Sequence, residues 1–285
     1  MTGLTSLTDE SFTHKDKSEF DLYISFDDHT VTLTVWEPVE KKIIAFEPSA
    51  LEHSPEIDFT SALKETLSKS FLHEFYKEYH HVVVVSGIRN STLVPNSLFD
   101  NNSMADQQHF LHKENKDEVI CVDSLRIADA RTIYSLPSPL YNYFIGTYHN
   151  LQLIHTSSTT IENQLSTFHN DKNNVITLLI HSNYFELIAS NEKSLLLYNS
   201  FEIENTNSVI YYTLFCCEQL KLDPEILSVQ LGGKVGKTSA IYLTMQNYFK
   251  NLHFANAPEN ITLSYLFSEK PSHALYQFYC IPSCV

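Results

Sequence analysis

With 285 residues, 43% of them hydrophobic and 12% aromatic, the chain carries enough apolar material for one large core or two smaller ones, which argues against disorder. A formal net charge of −15 argues against nucleic-acid backbones and anionic membranes as partners, since both are held by basic patches. The plain reading of the acidity is solubility, and a protein partner is expected in preference to nucleic acid or membrane. No apolar run is longer than Val209–Cys217, far short of a membrane span. Five cysteines, an odd number in a chain too large to need disulfides, fit a reducing cytoplasm.

Residues 1–19 are polar, without an apolar signal core, and are expected to form a flexible leader. Three short strands follow: Leu22–Phe26, Thr30–Trp36 and Lys41–Phe46. In the second, Val31, Leu33 and Val35 alternate with Thr30, Thr32 and Thr34, the period of a half-buried strand. Asp27, Asp28 and His29 form the turn before it, and Glu37–Glu40 the turn after it. The row Phe59, Leu63, Leu67, Phe71, Phe75, Tyr79 repeats every four residues and predicts one long helix over about 58–79. Val82–Val85 reads as a strand buried on both faces, as in parallel pairing. Further on, the patterns predict a helix near 103–114, strands at Val119–Val122 and Arg131–Ser135, and a helix from Ser138 to about His149. A strand at Leu151–His155 and a helix at Thr160–Phe168 come next. The polar run His169–Asn174 is expected to be a hinge.

The opening series then starts again. Val175–Ile180, Tyr184–Ser190 and Ser194–Phe201 read as strands, followed by a helix over 207–220 and a strand at Ile226–Leu231. A helix is predicted over 239–250, and 272–280 reads as either helix or strand. Two copies of strand-strand-strand-helix-strand predict an α/β protein of two lobes, 20–170 and 171–285, each a mixed sheet flanked by helices.

The repeated strand pattern, the Leu231-Gly232-Gly233 turn and the Val94-Pro95 segment resemble the domain of unknown function 3822 family, found mostly in Bacteroidetes, over nearly the whole chain beyond residue 20. More distantly, the chain is similar to the actin-like proteins of type IV pilus assembly. The resemblance implies an actin-like (ribonuclease H-like) fold without an assigned activity. In active members of that superfamily the first hairpin carries Asp-x-Gly, the Asp for metal and water and the Gly for close approach of amides to phosphate. In the corresponding positions this chain has Ser25 and Asp27. The matching turn of the second lobe is His181-Ser182-Asn183. Of six glycines in the chain, neither hairpin holds one. Both phosphate turns thus lack their chemistry, and ATP hydrolysis by the usual route is not expected. The resemblance leaves Gly232-Gly233, which in the superfamily lets adenosine approach; here the pair is a candidate nucleotide turn or a tight turn that needs glycine.

Other candidates are weaker. Gly232–Thr238 resembles a phosphate loop, but the spacing would need Gly at 231, which is Leu. Asp27-Asp28-His29 are neighbours in a tight turn, which rarely converge on one ion. His109 and His112 fall at i, i+3 of a predicted helix without a third ligand. His80-His81 mark a strand end. Cys216-Cys217 and Cys280/Cys284 read as free thiols. The expectation is a non-catalytic actin-like scaffold or binding protein, without a cofactor or metal, whose partner is a protein. The alternative is an ATP-dependent phosphotransferase or nucleotide-binding protein rewired around Gly232-Gly233, with Lys234 or Lys237 replacing the missing turns.

Overall fold

The computed structural model describes residues 6–52, 58–169, 173–192, 194–267 and 270–284. Its elements in chain order begin with β1 (Leu7–Thr8), α1 (Glu10–His14), β2 (Asp21–Phe26), β3 (Thr30–Glu37), β4 (Lys42–Ala50), α2 (Phe59–Ser68) and β5 (His81–Ser86). Then come β6 (Thr92–Pro95), α3 (Met104–His109), β7 (Glu118–Leu125), β8 (Ala130–Pro137), α4 (Ser138–Thr147), β9 (Leu151–His155) and α5 (Thr156–Phe168). The remainder is β10 (Val175–Ile180), β11 (Tyr184–Ser190), β12 (Leu195–Glu202), α6 (Thr206–Leu220), β13 (Ser228–Gly233), α7 (Ala240–Met245), β14 (Asn251–Phe254), β15 (Thr262–Leu263) and α8 (Tyr276–Tyr279).

Two mixed sheets carry the fold. The first runs β1-β4-β3-β2-β5-β9, with β15 also on β4; the second runs β12-β11-β10-β13-β14. In each, a three-stranded antiparallel meander is followed by a crossover to a parallel strand beside the meander's first strand: β5 beside β2, and β13 beside β10. A small third sheet, β6-β8-β7, is inserted between β5 and β9.

Burial follows the pattern of side chains. One face of the first sheet (Leu22, Ile24, Val84) packs on α2 and α4 through Leu63, Leu67, Leu140 and Phe144. The opposite face (Tyr23, Trp36, Phe46, Val83) is covered by the C-terminal run through Phe267, Leu275 and Phe278. The second sheet buries Leu178, Leu187 and Val229 against Val209, Ile210 and Cys217 of α6 and Met245 of α7. Its other face meets α5 through Ile188 with Ile161 and Leu165, and α8 through Leu179 with Tyr276. Thus α5 and α8 lie between the sheets. Helix α6 starts at a capping box formed by Asn205 and Ser208, and stops where Lys221 turns left-handed at φ 55°.

Several sequence expectations are corrected. Residues 6–19 are not a flexible leader. Leu7 and Thr8 pair with Phe46 and Ala45, Phe12 is buried, and the Asp9 carboxylate binds Lys42 and the Ser264 hydroxyl. The long helix breaks after Ser68. The Glu47 carboxylate accepts from the backbone N–H groups of Phe71 and Leu72 and from the Ser70 hydroxyl, and this tertiary cap starts a separate 3₁₀ turn, Leu72–Phe75. Helix α3 stops at His109, α5 starts four residues early at Thr156, and α7 stops at Met245, which leaves room for β14. The strand expected at 226–231 lies at 228–233, because the Leu227 N–H is taken by Asp223 in a turn. The segment 272–280 is helical. Half of the expected hinge, residues 170–172, lies outside the described residues.

Candidate functional site

The β2–β3 and β10–β11 hairpins, where the resemblance placed phosphate chemistry, face each other across the space between the sheets. Ser25, Asp27, His181, Tyr184, Gln277 and Phe278 line that space, whose cavity is ≈ 20 Å³. About 10–15 Å³ suffices for one water, so this gap holds roughly one.

The first turn is already occupied by its own side chain. Asp27 Oδ1 accepts from the backbone N–H of His29 at 2.8 Å and of Thr30 at 2.7 Å. A carboxylate therefore sits on the amides that a phosphate would need. In the second turn the His181 N–H goes to the Tyr184 carbonyl, and the Lys234 ammonium donates to the Ser182 hydroxyl.

Gly232 and Gly233 are the last two residues of β13, within the strand rather than in a turn beyond it. They pair with Leu179 and Ile180 of β10. Gly233 has φ +82°, and a Cβ there would lie 2.3 Å from the Ile180 carbonyl oxygen. At Gly232 a Cβ would meet Leu179 Cδ2 at 2.7 Å and Tyr276 Cβ at 3.4 Å. The volume at Gly232 is filled by β10 and α8, and Lys237 is exposed beyond it.

A larger cavity, ≈ 440 Å³, lies beside the closed gap and shares Gly87, Thr156 and Tyr184 with it. Its walls come from β6, from Leu111 and His112 after α3, and from β11 and β12. Glu186 forms part of this lining and is only 2% exposed. Its Oε1 lies 3.3 Å from His181 Nε2, but neither His181 Nε2 nor Glu186 Oε2 has a hydrogen-bond partner. The Tyr198 hydroxyl lies close to Glu186 and to Ser157. Burial, then the Glu186 charge, pushes the Tyr198 phenol well above its ordinary value. Tyr184 stacks on His181 with centroids 4.1 Å apart, and the Arg89 guanidinium sits 4.8 Å from the Tyr184 ring centroid. Arg89 also reaches Glu202 at 3.4 Å.

Below the cavity, His155 caps α5. Its Nε2 faces the Ile88 carbonyl at 2.9 Å and so carries the proton, while Nδ1 accepts from the Ser157 N–H at 3.1 Å. Complete burial holds its pKa below the ordinary value, so the ring stays neutral. Asp123 accepts from the His155 N–H and the Ser158 hydroxyl, yet burial pushes its carboxyl up to about 6.

The other sequence candidates scatter. The His112 ring lies 3.2 Å from the Ser91 carbonyl, and α3 ends before His112, so the predicted i, i+3 pair does not share a helix. His80 pairs with Asp21. The five cysteines are free thiols. Among the described residues no three His, Cys, Asp or Glu side chains converge as metal ligands. Sequence reasoning missed Glu186, Tyr198, Arg89 and His155. One signal was available for Glu186: it is the lone charge in the apolar strand Tyr184–Ser190.

Two meander-plus-crossover sheets, with α5 and α8 between them and paired hairpins facing a gap, define an actin-like ATPase fold. A crystal structure from Bacteroides thetaiotaomicron, described as a protein with actin-like ATPase fold and unknown function, superposes with a TM-score of 0.77 at 16% identity, over 94% of this chain and 97% of that one. The PilM–PilN type IV pilus biogenesis complex matches with a TM-score of 0.58 at 10% identity, over 94% and 98%. The family model described as protein of unknown function (DUF3822) matches residues 9–252, and the chain belongs to that family. No curated protein sequence matches it. Among the described residues no helix is long and apolar enough to cross a membrane.

Proposed function

We propose that this chain is a non-catalytic actin-like binding or scaffold protein whose phosphate turns have degenerated. The observation that carries the reading is Asp27: its carboxylate takes the two turn amides that would otherwise hold phosphate. The size of the gap supports it. Ligand pockets run to roughly 300–1,000 Å³, against ≈ 20 Å³ between the hairpins. In this reading Gly232 and Gly233 serve strand packing, and the lobes divide near residue 170. The partner is a protein, favoured over nucleic acid by the net charge of −15, and the site of action is the cytoplasm. PilM, similar in fold, is seen in complex with PilN.

A second reading has one observation in its favour: Lys234 reaches across to Ser182 of the second turn, where a cation could serve a rewired nucleotide site. Calorimetric titration with Mg-ATP and a phosphate-release assay separate the two. The proposal expects neither heat of binding up to millimolar nucleotide nor hydrolysis above the blank. Saturable binding that Lys234→Ala abolishes would favour the second reading.

A further inference from the structure

The ≈ 440 Å³ cavity has an unusual floor. Burying a carboxylate oxygen without a hydrogen-bond donor costs on the order of 1–3 kcal/mol or more, so native chains rarely leave one. Here Glu186 Oε2 is such an atom, on a side chain only 3% exposed. Two further polar atoms point the same way. The Thr92 hydroxyl, also in the cavity wall, has no partner, and His181 Nε2 stands unbonded 3.3 Å from the other Glu186 oxygen. Arg89, a cation in the cavity wall, is engaged by Glu202 and the Tyr184 ring. Tyr198 adds an aromatic ring to the lining, whereas the Tyr184 ring is already covered by His181 and Arg89.

We propose that this cavity binds a cationic N–H donor, a guanidinium or primary ammonium group, seated on Glu186 Oε2 beside Tyr198. A guanidinium fits an unpaired carboxylate best, because its planar fork of donors matches carboxylate geometry. The group belongs either to a free small amine or to an Arg or Lys side chain of a protein. Only the second source rests on the partner role proposed above, and Mg-ATP binding would overturn that role while leaving this site intact.

The test is calorimetric titration of the full chain with agmatine, with the peptide acetyl-Gly-Arg-Gly-amide, and with the same peptide carrying uncharged citrulline. At least one cationic probe is expected to bind saturably, and at least tenfold more weakly to Glu186→Gln. The citrulline peptide is expected to bind at least tenfold more weakly than the Arg peptide if the peptide arm binds. Agmatine alone binding assigns a free amine, and the peptide alone assigns a protein side chain. Ser200→Trp, in the cavity wall directly opposite Glu186 on β12, covers the case in which Glu186→Gln does not fold: it is expected to abolish binding while the chain still melts in one cooperative transition. No binding to the wild type, equal binding to Glu186→Gln, or binding untouched by Ser200→Trp overturns the proposal.

Discussion

Replacing Gly233 by alanine tests the steric account of the Gly-Gly pair. The new Cβ would stand 2.3 Å from the Ile180 carbonyl oxygen and 3.1 Å from its carbonyl carbon and nitrogen. Real Cβ atoms essentially never approach within 3.0 Å, so strand β10 would have to retreat by roughly 0.7 Å. That oxygen also accepts the Lys234 N–H at 2.7 Å, and the retreat strains this bond. The φ of +82° adds a backbone penalty of about 1–2 kcal/mol for a residue with a side chain. With about 1–3 kcal/mol for the forced packing, the loss is on the order of 3 kcal/mol. Urea unfolding followed by far-UV circular dichroism reads it. At a slope near 3 kcal/mol per molar, the midpoint should fall by about 1 M. The control is Gly146→Ala, at an exposed site in α4 where a Cβ meets nothing within 4 Å; it should gain about 0.5–1 kcal/mol. A midpoint shift for Gly233→Ala within about 0.2 M of wild type would refute the close approach as the reason for glycine.

Three further outcomes are expected. Asp27→Ala frees the His29 and Thr30 amides and should cost about 1 kcal/mol in the same unfolding assay, without creating Mg-ATP binding. Burial raises the Cys217 thiol to about 11 and those of Cys121 and Cys284 to about 12, so all three should react slowly with Ellman's reagent at pH 7.5 and rapidly once urea unfolds the chain; fast native labelling would contradict that burial. Asp123 has its carboxyl raised from 3.8 to about 6, mainly by burial. The folded chain therefore holds a proton that the unfolded chain has released, and this contribution to stability, full below pH 3.8, is lost as pH rises through about 6. The difference in urea midpoint between wild type and Asp123→Asn should change across that window and level off above it; a constant difference from pH 4 to 7 counts against the buried carboxyl.

The sequence by itself determined the meander strands of both sheets and the strands β5 and β9 beside the first, because their pattern is local, but it did not place β1, β14 or β15. Val175–Ile180, Tyr184–Ser190 and Leu151–His155 were legible to the residue, because strand pattern and the turn residues that bound it are local in the chain. The absence of glycine from both hairpins was legible for the same reason: a missing residue type needs no partner to be seen. What tertiary structure alone decided involves groups far apart in the chain. Glu47 ends α2 from 24 residues away by capping Phe71, against an uninterrupted apolar row that favoured one helix. Phe12 and Asp9 fix a polar N-terminal run because Phe75 and Ser264 wait for them elsewhere. Glu186 could be noticed as a lone charge among apolar neighbours, but its unpaired oxygen could not. That depends on which side chains arrive from β6, β12 and the turn after β10, and whether a buried acid finds a donor is settled only when separate elements close around it.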